Sequence, residues 1–235
     1  VVHACQCRIV GDAMIESGEP SGVRTVEGVL SSLRSLSPEV MEVGIRTDRA
    51  LPYHAGQYAQ VCFRGHPSRP FSMTHPLHST PDGRSVWFHV RRMKDGRVTP
   101  LLGKRIKPRH RVKLTGPYGS AHFRPHLGGR LVLVATNTGF APIWSIAAAA
   151  LRESPERTMM VIAGGRTLGS LYMGPALAQL VRFPNVVVVP CCSRPQTSID
   201  GVNRGRPTDY LPRLLPTDVL YACGAPGMVD AIKSI

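Results

Sequence analysis

Leu131-Val132-Leu133-Val134-Ala135-Thr136-Asn137-Thr138-Gly139-Phe140-Ala141-Pro142 decides the fold. The unbroken apolar run suits a parallel strand covered on both faces. It enters a turn of small residues, and the alanine-rich Ile143 to Leu151 behind it reads as a helix with Pro142 in its first turn. The alternation then repeats: strand Met159 to Ala163, loop Gly164-Gly165-Arg166, helix Leu171 to Val181, strand Val186 to Val189. A helix near Asp209 to Leu215, a strand Val219 to Ala222 and a turn Cys223 to Gly227 complete it. Strands and helices taking turns predict a doubly wound parallel sheet, whose ligands lie at the carboxyl ends of the strands. Here those ends carry Thr138-Gly139, Gly165-Arg166 and Cys223-Gly224. Gly139 lets a backbone approach a pyrophosphate, the following helix offers free amides, and Arg166 suits a ribose or a 2′-phosphate. A thiol at Cys223 would lie near a bound nicotinamide. The turn lacks the usual Gly-x-Gly-x-x-Gly pattern.

Upstream of Gly128-Gly129 the pattern is different. Val26 to Leu33, Met41 to Arg46, Gly56 to Phe63, Arg69 to Met73, Val86 to Arg92 and Arg109 to Leu114 read as short strands without a long amphipathic helix. This predicts a six-stranded antiparallel barrel, followed by a tight turn at Gly116-Pro117-Tyr118-Gly119. Within it, Arg69-Pro70-Phe71-Ser72 combines a guanidinium, an aromatic ring and a hydroxyl on one extended segment. With strand side chains alternating, these groups are expected to point one way, toward a flat anionic ligand such as a flavin nucleotide. Arg69 would hold a phosphate, Phe71 would lie on the ring system and Ser72 would hydrogen-bond a ring heteroatom.

Composition narrows the function classes. A chain of 235 residues with 43% hydrophobic content has room for two cores and no apolar run long enough to span a bilayer. The formal charge of +14 attracts anions, yet the arginines are scattered and form no basic run of the kind nucleic-acid binders show. We read the charge as steering toward an anionic cofactor and an acidic protein partner, with no nucleic acid involved. The six cysteines form neither a zinc set nor a disulfide framework, and reduced thiols and a cytoplasmic location are expected. Cys191-Cys192 reads as packing. No Ser/His/Asp or paired-carboxylate arrangement is evident.

Arg69-Pro70-Phe71-Ser72, Gly116-Pro117-Tyr118-Gly119, Thr138-Gly139-Phe140-Ala141-Pro142 and Cys223-Gly224-Ala225-Pro226-Gly227-Met228, in this order, closely resemble the ferredoxin-NADP reductase superfamily. The resemblance implies FAD on Arg69, Pro70, Phe71 and Ser72, with Ser72 beside flavin N5. His89-Val90-Arg91 and Gly96-Arg97-Val98-Thr99 resemble its second flavin segment, which usually has two glycines and a serine where Asp95, Gly96 and Thr99 stand here. NADH or NADPH would lie on Thr138, Gly139, Ala141, Pro142 and Arg166, with Cys223, Gly224 and Met228 beside the nicotinamide. Ser72 and Cys223 are the implied catalytic pair. Asn137 occupies a place where the family usually has glycine.

The head of the chain, Ala4-Cys5-Gln6 with Asp12 behind it, resembles the end of a plant-type ferredoxin domain, in which Cys5 would be a ligand of a [2Fe-2S] cluster. The three preceding ligands are absent from the sequence, so the cluster is expected only with an upstream domain. The chain opens at Val1 without methionine or a signal-peptide pattern and is expected to be cut there, and its last domain also to be truncated. The expected division is residues 1–20 as the remnant of a β-grasp ferredoxin domain, 23–126 as the FAD-binding barrel and 127–235 as the NAD(P)-binding domain. Together these features imply a reductase passing electrons from NAD(P)H through FAD to a [2Fe-2S] centre or ferredoxin, and on to an oxygenase component. A reductase serving free flavin, haem or quinone, or a catalytically silent nucleotide-binding module, are the competing readings.

Overall fold

The computed structural model describes residues 22–76, 82–195 and 197–234, and the expected ferredoxin remnant with Cys5 lies outside them. The first half is a closed antiparallel barrel of β1 (Arg24–Ser35), β2 (Val40–Thr47), β3 (Tyr58–Phe63), β4 (Arg69–Thr74), β5 (Ser85–Arg91) and β6 (Arg111–Tyr118), in the order β1-β2-β5-β4-β3-β6. Closure depends on β1, whose first part pairs with β6 and whose second part pairs with β2. A register shift between Leu30 and Ser32 bends the strand from one neighbour to the other. Alternate residues then turn inward, and Val26, Leu30, Ile45, Val61, Phe63, Met73, Phe88 and Leu114 form a closed core. Each of these large side chains contributes roughly 1.5–3 kcal/mol relative to exposure.

The second half is a parallel sheet in the order β10-β9-β8-β7-β11, built from β7 (Leu131–Thr136), β8 (Met159–Gly165), β9 (Val186–Cys192), β10 (Asn203–Arg204) and β11 (Val219–Cys223). Leu131, Leu133 and Ala135 pack in one cluster with α1 (Phe140–Glu153) and α2 (Gly174–Leu180), while Val132 and Val134 meet Met228 and Ile232 of α3 (Pro226–Lys233). Both faces of β7 are therefore covered, which is why its sequence has no polar alternation.

Four local expectations are corrected. The segment expected to be a helix near Asp209 to Leu215 forms a 3-10 turn at Pro207–Tyr210 and no α-helix, because Pro212 and Pro216 withhold backbone donors. The expected turn at Gly116 to Gly119 is strand through Tyr118, with a cis Gly116-Pro117 bond. Pro226, read as part of a turn, instead opens α3. Helix α2 also begins later than Leu171, at Gly174-Pro175.

The barrel and the sheet share a continuous core, since Val40 and Phe123 of the first half pack in the cluster that contains Trp144 and Ile146 of α1. Polar ties cross the same boundary. Thr74 Oγ1 donates to the Ala141 carbonyl at 2.8 Å within a buried environment, and Tyr221 Oη donates to the His122 carbonyl at 3.0 Å. These contacts hold the open ends of β4 and β7 beside one another.

Candidate active site between barrel and sheet

The order of the parallel sheet reverses at β7, which has β8 on one side and β11 on the other. A crevice is expected outside the carboxyl ends of these strands. A hollow of about 350 Å³ lies there. Its sheet wall is the turn Thr136 to Gly139 after β7 and the turn Cys223 to Ala225 after β11. Its barrel wall is Pro70, Phe71 and Ser72 of β4 with His89 and Arg91 of β5. A second hollow of about 210 Å³ shares Arg91 and Asn137 with it and runs on past Glu39, Thr167 and Tyr172.

The sheet wall is set backbone against backbone. A Cβ on Gly139 would collide with the Cys223 carbonyl, and one on Gly224 would collide with Thr136 Oγ1. Gly224 also has φ 145°, a conformation other residues adopt only under strain. Thr136 Oγ1 accepts the Ala225 N–H at 2.8 Å, which locks one turn to the other. Asn137 takes φ 51°, the left-handed conformation that asparagine tolerates better than most residues and that a glycine would adopt freely. Helix α1 runs on from a 3-10 turn at Asn137–Gly139, whose carbonyls already take the Phe140 N–H, so the N-terminal end that borders the hollow is that of the turn.

On the barrel wall the alternation of β4 corrects one expectation. Phe71 and Ser72 are neighbours in the chain and leave opposite faces of the strand. Met73 and Phe71 turn to the barrel core, with the Phe71 ring 6.2 Å from that of Phe88, whereas Ser72 follows Thr74 toward the sheet. Phe71 and Ser72 both still border the hollow. Arg69 does not; its Nη1 donates to the Ser68 carbonyl at 2.9 Å at the far end of β4.

His89 is buried, and its Nδ1 lies 3.2 Å from the hydroxyl of Tyr172 on the sheet side. Its Nε2 stands 3.9 Å from a Glu42 carboxylate oxygen. Burial pulls the imidazole pKa down to about 3, so the ring is neutral at physiological pH. Burial pushes the Tyr172 hydroxyl up, and likewise the Cys223 thiol, which therefore stays protonated near neutrality. Arg91 is held by Glu39 at 2.8 Å.

Several residues singled out in the sequence stand elsewhere. Val90 and Val98 face the barrel core and Met228 packs beneath the sheet, so their side chains do not reach the hollow. Gly96 and Thr99 belong to a loop closed by the Met93 N–H donating to Thr99 Oγ1 at 2.9 Å. Ala141 and Pro142 are buried in the first turn of α1, and Ala141 presents its carbonyl to Thr74. Arg166 is exposed beyond β8 and does not line the hollow. Sequence reasoning missed Thr136 and Tyr172. The first could have been found as the hydroxyl residue that ends the apolar strand; the second has no local signal.

A hollow at the switch point between a closed barrel and a doubly wound sheet points to the class of two-domain flavin- and nicotinamide-binding oxidoreductases. Residues 27–123 match the family description "Oxidoreductase FAD-binding domain" and residues 133–234 match "Oxidoreductase NAD-binding domain". The chain belongs to the ferredoxin-NADP reductase superfamily, as its relatives make specific. It is 30% identical over 242 residues to a ferredoxin–NAD(P)+ reductase component of naphthalene 1,2-dioxygenase/salicylate 5-hydroxylase systems from Ralstonia sp., covering 99% of this chain and 72% of that one. It is 27% identical over 247 residues to the reductase component of a Pseudomonas putida naphthalene 1,2-dioxygenase system, covering 100% of this chain and 73% of the relative. Among solved structures, an Amycolatopsis cytochrome P450 reductase superposes with a TM-score of 0.79 at 27% identity, covering 90% of this chain and 65% of the other. The ferredoxin reductase of a carbazole 1,9a-dioxygenase superposes with a TM-score of 0.74 at 25% identity, covering 89% of this chain and 64% of the other.

Proposed function

We propose that this protein passes electrons from NAD(P)H through FAD to a [2Fe-2S] centre or ferredoxin, and so supplies an oxygenase component. The observation that carries the reading is that Ser72 and Thr138, from different halves of the chain, border one hollow with Cys223. The wall fits the cofactors: an aromatic ring and a hydroxyl on the barrel side, and two glycine turns with the N-terminal end of the 3-10 turn on the other. When bound, the nicotinamide supplies a hydride and the flavin divides its two electrons into single transfers.

The residues act by binding and alignment. Phe71 borders the flavin ring and Ser72 offers its hydroxyl to the ring edge. Arg69, with the loop Gly96 to Thr99, would hold the more distant phosphates outside the hollow. Thr138 and the amides ahead of α1 hold the nicotinamide pyrophosphate, and the second hollow gives the rest of the dinucleotide room along Thr167. Cys223 contributes a neutral, polarizable wall that excludes water without adding charge. The net charge of +14 suits an acidic docking surface on the ferredoxin or oxygenase partner. No helix of the described residues is long and apolar enough to cross a membrane, and a cytoplasmic location is part of this proposal.

Anaerobic mixing of the FAD-loaded protein with NADH and with NADPH tests the reading. Bleaching of the flavin absorbance by one of them, followed by reoxidation with an added plant-type ferredoxin, is the expected result. Bleaching followed by reoxidation with free flavin or quinone but not ferredoxin favours the cluster-free alternative. No bleaching by either nucleotide rejects electron transfer altogether.

A further inference from the structure

A third hollow, of about 410 Å³, lies along the barrel–sheet boundary and shares no lining residue with the cleft described above. Helix α1 supplies Ser145, Ala149 and Arg152 at positions i, i+4 and i+7, one face of the helix. Opposite stand Tyr53 and its neighbours from the segment between β2 and β3, with His75 after β4 and Phe123 of the linker. The size falls within the usual range for small-molecule sites.

The chemistry of its lining is one-sided. Leu51, Pro52, Phe123 and Ala149 make an apolar wall, and no carboxylate is among the described residues that line it. The Arg152 Nη2 lies 3.4 Å from His75 Nε2. With arginine as the donor, that nitrogen accepts and the imidazole is neutral; burial first, and Arg152 second, pull the His75 pKa down to about 4. Burial holds the Tyr53 hydroxyl protonated, with its pKa pushed up to about 12. At the inner end Ser145 is fully buried and its Oγ has no hydrogen-bond partner among the described residues. A buried hydroxyl left unmet carries a desolvation penalty that a bound acceptor would remove.

We propose that this cleft is a binding site for a small aromatic carboxylate that carries an oxygen function at the opposite end of its ring. The carboxylate pairs with Arg152 and Tyr53, the ring lies on Phe123 and Ala149, and the distal oxygen meets Ser145. Seven residues of helix separate the two polar ends by about 10 Å, a span that a substituted benzene ring and the flexible arginine fill together. Because the ligand would touch both α1 and the barrel, its binding also fastens the two halves of the molecule to each other.

The probes are 4-hydroxybenzoate, benzoate and the uncharged 4-hydroxybenzyl alcohol, titrated calorimetrically into the whole FAD-loaded chain. The expected result is saturable one-to-one binding of 4-hydroxybenzoate that weakens by about tenfold or more in Arg152→Gln and for the uncharged alcohol. Ser145→Ala is expected to weaken 4-hydroxybenzoate about threefold to tenfold and to leave benzoate unchanged. Flavin content and circular dichroism of both variants, matching the parent protein, show that they fold. Absence of saturable binding, or binding that survives Arg152→Gln undiminished, overturns the proposal. A Ser145→Ala variant that weakens both acids alike, or neither, overturns the orientation given to the ligand.

Discussion

The two walls of the central cleft are made in different ways. The sheet wall is backbone packed on backbone, with Gly139 against the Cys223 carbonyl and Gly224 against Thr136. The barrel wall is side chains on two strands of a closed sheet, with Phe71, Ser72, His89 and Arg91 projecting from β4 and β5. A wall of the first kind tolerates no added atom, because nothing flexible can move aside. A wall of the second kind can lose a side chain without losing its shape. Changes on the sheet side should therefore damage the fold and binding together, and changes on the barrel side should damage chemistry while sparing stability.

The largest expected effect is on the sheet side. Gly224→Ala places a methyl group against Thr136 at a positive φ, and should cost about 2–4 kcal/mol in urea unfolding and weaken NAD(P)H binding. A variant as stable as the parent would show that this turn has slack the packing does not reveal. Next comes the buried imidazole of the barrel wall. His89 has a folded pKa of about 3, whereas an unfolded histidine titrates near 6.5. Below pH 6.5 the unfolded chain thus binds the extra proton, and stability should fall by up to about 1.4 kcal/mol per pH unit from this group as pH drops toward the folded value. Urea midpoints between pH 7 and 5 should show a shallower slope in His89→Gln; identical slopes would remove His89 from this role.

Smaller effects sharpen the contrast. Thr74→Val deletes the hydroxyl that donates to the Ala141 carbonyl, leaving that carbonyl only its intrahelical partner, and should cost about 0.5–1.5 kcal/mol with flavin content retained. Ser72→Ala, on the same strand, should change stability by less than about 0.5 kcal/mol yet slow flavin reduction on the order of tenfold to a hundredfold. If Ser72→Ala instead unfolds the protein, the difference between the two walls is not the one described.

The sequence was legible where one physical cause acted locally. Covering both faces of β7 leaves an apolar run, and a barrel wall alternates, so both halves of the fold could be read from residue pattern. The prolines at 212 and 216 were misread because the apolar spacing of Leu211, Leu214 and Leu215 imitates a helix while the missing amides forbid one. Helix α3 was missed for the opposite reason: Ala225-Pro226-Gly227 looks like a turn, although proline suits a first helical position. Within the cleft, strand-end residues such as Thr138 and Cys223 stood out, since topology alone sends strand ends to a crevice. Contacts such as His89 with Tyr172, separated by 83 positions, leave no local trace. The side-chain directions of Val98 and Met228 were also hidden, because a motif gives order along the chain and not the face on which each residue falls.

The most direct test is the anaerobic rate at which NADH or NADPH bleaches bound FAD, measured by stopped flow in the parent, Ser72→Ala and Cys223→Ala. These two residues come from different halves of the chain and meet across one hollow, so both substitutions should slow bleaching while FAD stays bound. Rates unchanged in either variant, with flavin still in place, would contradict the assignment of this cleft as the place where nicotinamide and flavin meet.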